Sequence, residues 1–81
     1  MKEMWRKTPL THLILYELRR SKGSMTDQDL YREVQKRTDE QIPFSDFLKA
    51  LMSLEMRGFI SVSLIREDTR MITVLGDRES E

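Results

Sequence analysis

Apolar residues recur at helical spacing in three separate stretches of the chain. They are Leu10, Leu13, Ile14 and Leu18 in the first stretch, Leu30, Tyr31 and Val34 in the second, and Phe44, Phe47, Leu48, Leu51 and Leu54 in the third. Steps of three and four residues place these side chains on one face of an α-helix. The pattern predicts helices over residues 9–21, 27–37 and 45–57.

Residues typical of helix ends flank the three segments. Thr8 and Thr26 are the expected N-caps of the first two, because a hydroxyl oxygen can accept a hydrogen bond from a first-turn backbone N–H. The third helix starts at either Pro43 or Ser45, between which the sequence does not choose, and Gly58 ends it. The three segments are therefore expected to be separate short helices.

A different pattern follows the third helix. Residues 60–64 alternate strictly between apolar and polar, which is typical of a strand with one buried face. We expect residues 59–65 to pair antiparallel with residues 70–75. A two-stranded hairpin is not stable alone, so it must pack on the helices. Its expected inward side chains are Ile60, Val62, Leu64, Ile72 and Val74.

Three helices followed by a two-stranded antiparallel hairpin is the element order of a winged helix-turn-helix domain, an α+β fold. The chain also resembles this superfamily in detail. Its residues 51–60 match L-x-x-L-E-x-x-G-[LF]-I, the pattern in which the recognition helix ends and the wing begins. Asp68-Thr69-Arg70 is similar to the Asp-x-Arg in the wing of multiple-antibiotic-resistance (MarR) repressors. The first helix is similar to that of MarR and phenolic-acid (PadR) repressors.

The resemblance covers residues 8–76, with an N-terminal arm at 1–7 and an acidic tail at 77–81. It implies a small transcription regulator that binds double-stranded DNA. Helix 3 would enter the major groove, and the wing would lie on the backbone. Base contacts are expected from Ser45, Lys49 and Ser53. The full set of expected DNA contacts is Lys22, Thr26, Arg32, Ser45, Lys49, Ser53, Arg57, Arg66 and Arg70.

The charge distribution gives this expectation little support. The chain has 14 basic and 14 acidic residues. Residues 1–37 have a net charge of +4 and residues 38–81 of −4, whereas phosphate binding needs clustered positive charge. Asp46 lies in the middle of the expected reading face, and Glu67 and Asp68 lie at the wing tip. Two alternatives therefore stay open: an ordinary solvated face, or a protein-interaction module that does not itself bind DNA.

A second surface also has two interpretations. Leu15 and Tyr16 lie outside the tightest apolar stripe of helix 1, and Met52 and Met56 flank that of helix 3. They would form either a docking surface for a protein partner, involving helix 1 and the N-terminal arm, or a broad core stripe that the arm covers with Met4 and Trp5. A homodimer would enlarge the small buried core of an 81-residue chain.

The composition argues against other classes of function. The chain has no cysteine, three scattered glycines and one histidine, His12, which we expect to be an exposed helix residue. A general base needs a nucleophile and an orienting group, and a zinc site needs several ligands. We therefore expect no enzyme activity, no metal and no cofactor. Without an apolar run long enough for a signal peptide or a membrane span, the expected location is the cytoplasm.

Overall fold

The structure is a computed structural model that describes residues 9–75. Its elements in chain order are α1 (Leu10–Arg20), β1 (Ser24–Thr26), α2 (Asp27–Lys36), α3 (Phe44–Met56), β2 (Ile60–Arg66) and β3 (Thr69–Val74). The α+β class is confirmed, and all three predicted helices and both predicted strands are present within one residue of their expected ends. Proline, threonine and glycine therefore marked the element boundaries correctly.

The sheet has three strands, so the expectation of a two-stranded hairpin was incomplete. β2 and β3 pair antiparallel as predicted, with Ile60 opposite Val74 and Val62 opposite Ile72. The short strand β1 pairs antiparallel with the other side of β3, which gives the order β1-β3-β2. Three residues are too few to show a strand periodicity, and their partner strand is at the far end of the domain sequence.

The observed N-caps of the three helices agree with the expected ones only in part. Thr26 caps α2 as predicted, since its Oγ1 accepts a hydrogen bond from the Asp29 N–H at 3.2 Å. Pro9 is itself the N-cap of α1, with extended backbone angles, and the expected cap Thr8 lies outside the described residues. Pro43 is the N-cap of α3, which settles the choice between Pro43 and Ser45.

The Thr26 cap can be tested directly. Thr26→Ala removes the hydroxyl that accepts the Asp29 N–H, and we expect it to lower the free energy of unfolding by about 1 kcal/mol. Thr26→Ser should keep most of that stability. Thr11→Ala, inside α1, is the control and should cost nothing, because alanine is the better helix former. Urea unfolding followed by circular dichroism measures all three; equal loss in the serine and alanine variants would contradict the cap.

The hydrophobic core lies between the three helices and one face of the sheet. Its buried residues are Ile14, Leu15 and Leu18 of α1, Leu30 and Val34 of α2, Phe47, Leu51 and Leu54 of α3, Ile60 of β2 and Ile72 of β3. Val62 and Val74 pack against this core as expected, but Leu64 does not and is 65% exposed. The helices cover only the base of the hairpin, and the pairing of β2 becomes irregular between Leu64 and Arg66.

The connection between α2 and α3 is tied back to α2. The Tyr31 hydroxyl donates a hydrogen bond to the Ile42 carbonyl, and the Gln35 side chain accepts one from the Ile42 N–H. The Tyr31 ring meets Phe44 and Phe47 edge-on, with ring centroids 5.1 and 5.2 Å apart. These contacts fix the first turn of α3 relative to α2.

Glu17 is buried in α1 although it is charged. Its side chain is 2% exposed and accepts a hydrogen bond from Arg37, while Arg20 lies 3.5 Å from its second carboxylate oxygen. The Arg37 guanidinium also lies 4.8 Å from the centre of the Tyr16 ring. The hydrogen bond with Glu17 raises the pKa of Arg37 above its ordinary value, so this arginine stays charged. The ion pair therefore joins α1 to the end of α2.

Candidate nucleic-acid interface

α3 presents a polar face on the side opposite the core. Phe47, Leu51 and Leu54 point inward and are buried. Lys49, Ser53 and Arg57 follow at steps of four residues, and with Met52 and Met56 they line one shallow, open depression. Ser45 is exposed one turn before Lys49. The structure therefore brings four of the predicted DNA contacts onto one helix face.

This face also contains exposed apolar side chains. Met52 is 58% exposed and Met56 is 83% exposed. Leu15, by contrast, is buried in the core, and Tyr16 is half-exposed beside Arg20 and Arg37. Leu15, Tyr16 and the two methionines, which the sequence analysis placed on one surface, are therefore separated. Met52 and Met56 lie within the candidate interface itself. Within residues 9–75, neither methionine belongs to the core stripe, and the arm that was expected to cover that stripe with Met4 and Trp5 lies outside the described residues.

Charges of both signs lie on and beside this face. Lys49 and Arg57 are exposed on it, Asp46 is exposed in the first turn of α3, and Glu55 is exposed toward the sheet, where it lines a groove with Val62. The Arg57 guanidinium lies 5.8 Å from the centre of the Phe59 ring, which orients it near the end of the helix. The face can therefore offer two cations to a phosphate backbone, each with a carboxylate on the same helix.

Arg70, one of the expected DNA contacts, is held against the first turn of α2. Its guanidinium donates a hydrogen bond to Asp27 Oδ2 at 3.2 Å, and its backbone N–H donates to Asp27 Oδ1 at 3.3 Å. The Asp27 side chain is only 1% exposed, so this ion pair between α2 and β3 joins a buried carboxylate to a partly exposed guanidinium. Arg70 also lines a groove between α3 and the sheet, beside Met52 and Glu55. Its position indicates a structural role that competes with phosphate binding.

The other predicted contacts lie on separate elements. Arg66 is exposed at the end of β2, next to the hairpin turn. Lys22 is exposed between α1 and β1, in a left-handed conformation with φ of 67°. Arg32 is paired with Asp29 at 3.1 Å on the open surface of α2, where both side chains are more than half exposed. Thr26 is occupied as the cap of α2.

Four cations of the predicted set are available for a ligand. Within residues 9–75 no ion pair involves Lys22, Lys49, Arg57 or Arg66. Arg32 adds a fifth if its exposed pair exchanges, because such pairs contribute little. This is a modest positive surface, distributed over α3, the β2–β3 hairpin and the α1–β1 turn.

No pattern in the sequence indicated that Asp27 pairs with a distant arginine. Its position in the first turn of α2 is explained equally well by the favourable interaction of an acidic residue with the helix dipole. Only the pairing of β1 with β3 brings Arg70 over the start of α2. The spacing of 43 residues between the two partners leaves no local pattern to detect.

In the part of the chain that the structure describes, no three His, Cys, Asp or Glu residues are grouped to hold a metal ion, and no helix is long and apolar enough to cross a membrane. His12 is exposed on α1, as expected. Comparisons of the chain with protein-family models, with curated proteins and with solved structures found no significant match. The function must therefore be inferred from the fold and surface of residues 9–75.

Proposed function

We propose that the chain is a winged helix-turn-helix domain that binds double-stranded DNA, with α3 in the major groove and the β2–β3 hairpin as the wing. The element order supports this assignment, because three short helices precede the hairpin and α2 and α3 are joined by a short connection. The proposed role is that of a small transcription regulator.

The observation that carries the proposal is the stripe of Ser45, Lys49, Ser53 and Arg57 along α3, in which Ser53 is half-buried and the other three are exposed. An α-helix with its side chains is about 10–12 Å across, which suits a major groove about 12 Å wide, and the 13 residues of α3 extend about 20 Å along it. Serine and lysine side chains can hydrogen-bond to base edges, and Arg57 can neutralise a phosphate. The buried opposite side holds this stripe outward, since Phe47, Leu51 and Leu54 fill the core.

DNA binding should be weak and strongly dependent on salt. If Lys22, Lys49, Arg57 and Arg66 each neutralise one phosphate, the logarithm of the binding constant should fall with the logarithm of salt with a slope of about −3.6. Raising the salt from about 50 to about 200 mM should then reduce the affinity about a hundredfold. A gel-shift titration on a random-sequence duplex pool measures this slope. If no complex forms at about 50 mM salt, the proposal fails.

Variants distinguish a contact on α3 from a general charge effect. Lys49→Ala should weaken binding and reduce the sequence preference of the bound pool, because Lys49 lies on the proposed reading face. Arg66→Ala should weaken binding to all sequences alike and reduce the salt slope by about one. Lys36→Ala is the matched control, since Lys36 is paired with Glu33 on α2 outside the predicted set. Asp46→Asn should tighten binding by removing a repelled charge.

A second candidate function rests on the two exposed methionines. Met52 and Met56 form an adaptable apolar surface in the middle of the α3 face, and the exposed carboxylates of Asp46 and Glu55 on the same helix oppose the charges of Lys49 and Arg57. Such a face favours a winged-helix module that contacts a protein in transcription or other nucleic-acid machinery. Met56→Gln discriminates the two functions, because it replaces an apolar contact for a protein partner but leaves the charges of Lys49 and Arg57, which would contact DNA, unchanged.

A further inference from the structure

A cleft of about 210 Å³ lies between the start of α1 and the α2–α3 connection. Its apolar wall is formed by Leu10, Leu13, Ile42 and Pro43, and Glu40 and Asp46 also line it. Leu10, Leu13 and Ile42 are half-buried side chains that pack against the core from outside. This volume is well above the roughly 10–15 Å³ that one water molecule needs on the same measure, so the cleft can take a large side chain.

The N-terminal arm is tethered to this cleft. Leu10, which lines it, is five residues after Trp5, and a chain of that length spans at most about 17 Å. Trp5 is the only tryptophan of the chain, and no other residue of the arm offers as much apolar area. A ligand on so short a tether has a local concentration on the order of millimolar, so even weak contacts suffice for binding.

The charges of the arm and the cleft are complementary. Residues 1–7 contain Lys2, Arg6 and Lys7 against Glu3, a net charge of +2. The cleft contributes the exposed carboxylate of Asp46. Arg6 and Lys7 directly follow Trp5 in the sequence, so an indole in the cleft would leave a basic side chain within a few residues of this carboxylate.

We propose that the N-terminal arm of this same chain occupies the cleft, with the Trp5 indole against Leu10, Leu13 and Ile42 and its basic neighbours beside Asp46. This goes beyond the proposed DNA binding, because it assigns the arm to the domain rather than to the nucleic acid. The arm then fastens the start of α1 to the start of α3 and extends the small core.

The fluorescence of the single tryptophan tests the proposal in the full-length protein. We expect Trp5 emission to be blue-shifted from that of N-acetyltryptophanamide and shielded from acrylamide, at all protein concentrations. Emission and quenching equal to those of the free compound would overturn the proposal. Shielding that disappears on dilution would also overturn it, since the occupant would then be a second copy of the chain.

Two charge reversals on α3, one at the cleft and one away from it, test whether Trp5 lies in the cleft. Asp46→Lys should reduce the ratio of docked to free arm about twofold to fivefold, the range of one exposed charge pair, and so raise acrylamide quenching. Glu55→Lys makes the same change of charge on the same helix away from the cleft and should leave quenching unchanged. Leu10→Ser, checked for folding by circular dichroism, should also expose Trp5. If Trp5 is shielded and its acrylamide quenching does not change in either Asp46→Lys or Leu10→Ser, the indole lies elsewhere and the proposal fails.

Discussion

Leu51→Ala is expected to lower the free energy of unfolding by about 2–5 kcal/mol. Leu51 lies at the centre of α3, is 2% exposed and belongs to the core between the helices and the sheet. Truncation to alanine loses the burial of the side chain and leaves a cavity that the surrounding helices and strands can fill only in part. Urea unfolding monitored by circular dichroism gives the difference from the unchanged protein.

The neighbouring residue provides the control. Met52→Ala changes a side chain of similar size that is 58% exposed, so its effect on stability should stay within about 0.5 kcal/mol. A loss below about 1 kcal/mol for Leu51→Ala, or an equal loss for both variants, would mean that α3 is rotated about its axis relative to the structure.

Arg70→Met is expected to destabilise the protein by about 3 kcal/mol, at the lower end of the range for breaking a buried ion pair. The change removes the guanidinium from Asp27, whose side chain is 1% exposed, and leaves the carboxylate with only a backbone N–H donor. Asp27→Asn should cost less, about 1–2 kcal/mol, because the Arg70 side chain is 39% exposed and can turn to water.

A double-mutant cycle measures the coupling between these two side chains. The protein carrying both Asp27→Asn and Arg70→Met should lose less stability than the sum of the two single losses, since the carboxylate that Arg70 neutralises is gone. Arg66→Met is the control on the same hairpin and should have an effect within about 0.5 kcal/mol, because Arg66 is exposed. Strictly additive losses would show that the ion pair contributes nothing.

The Asp27–Arg70 pair bears on the proposed function through the wing. It joins the first turn of α2 to β3, so it fixes the direction in which the hairpin leaves the domain. Loss of DNA binding in Arg70→Met would therefore combine a structural and an electrostatic effect. Arg66, which is exposed and has no ion pair within residues 9–75, is the better test of phosphate contact by the wing.

The expected DNA contacts fall into two groups, those that sequence spacing could place and those that depend on distant residues. Sequence spacing was enough to place Ser45, Lys49 and Ser53 on one helix face, because steps of four residues have a fixed geometry. It was not enough for Arg70, since its ion pair depends on a residue in another element. Nor did spacing alone tell whether Met52 and Met56 would be covered, because both lie at the margin of the apolar stripe.

The sequence by itself determined the local structure of this protein. Helical and alternating periodicities, with proline, threonine and glycine at the boundaries, defined three helices and a hairpin within one residue. These signals arise from backbone geometry and hydrogen bonding among near neighbours, so they can be read locally. The tertiary structure alone decided what depends on distant partners. It paired the three residues of β1 with β3, left Leu64 beyond the helices, and buried Glu17 and Asp27 against arginines from other elements.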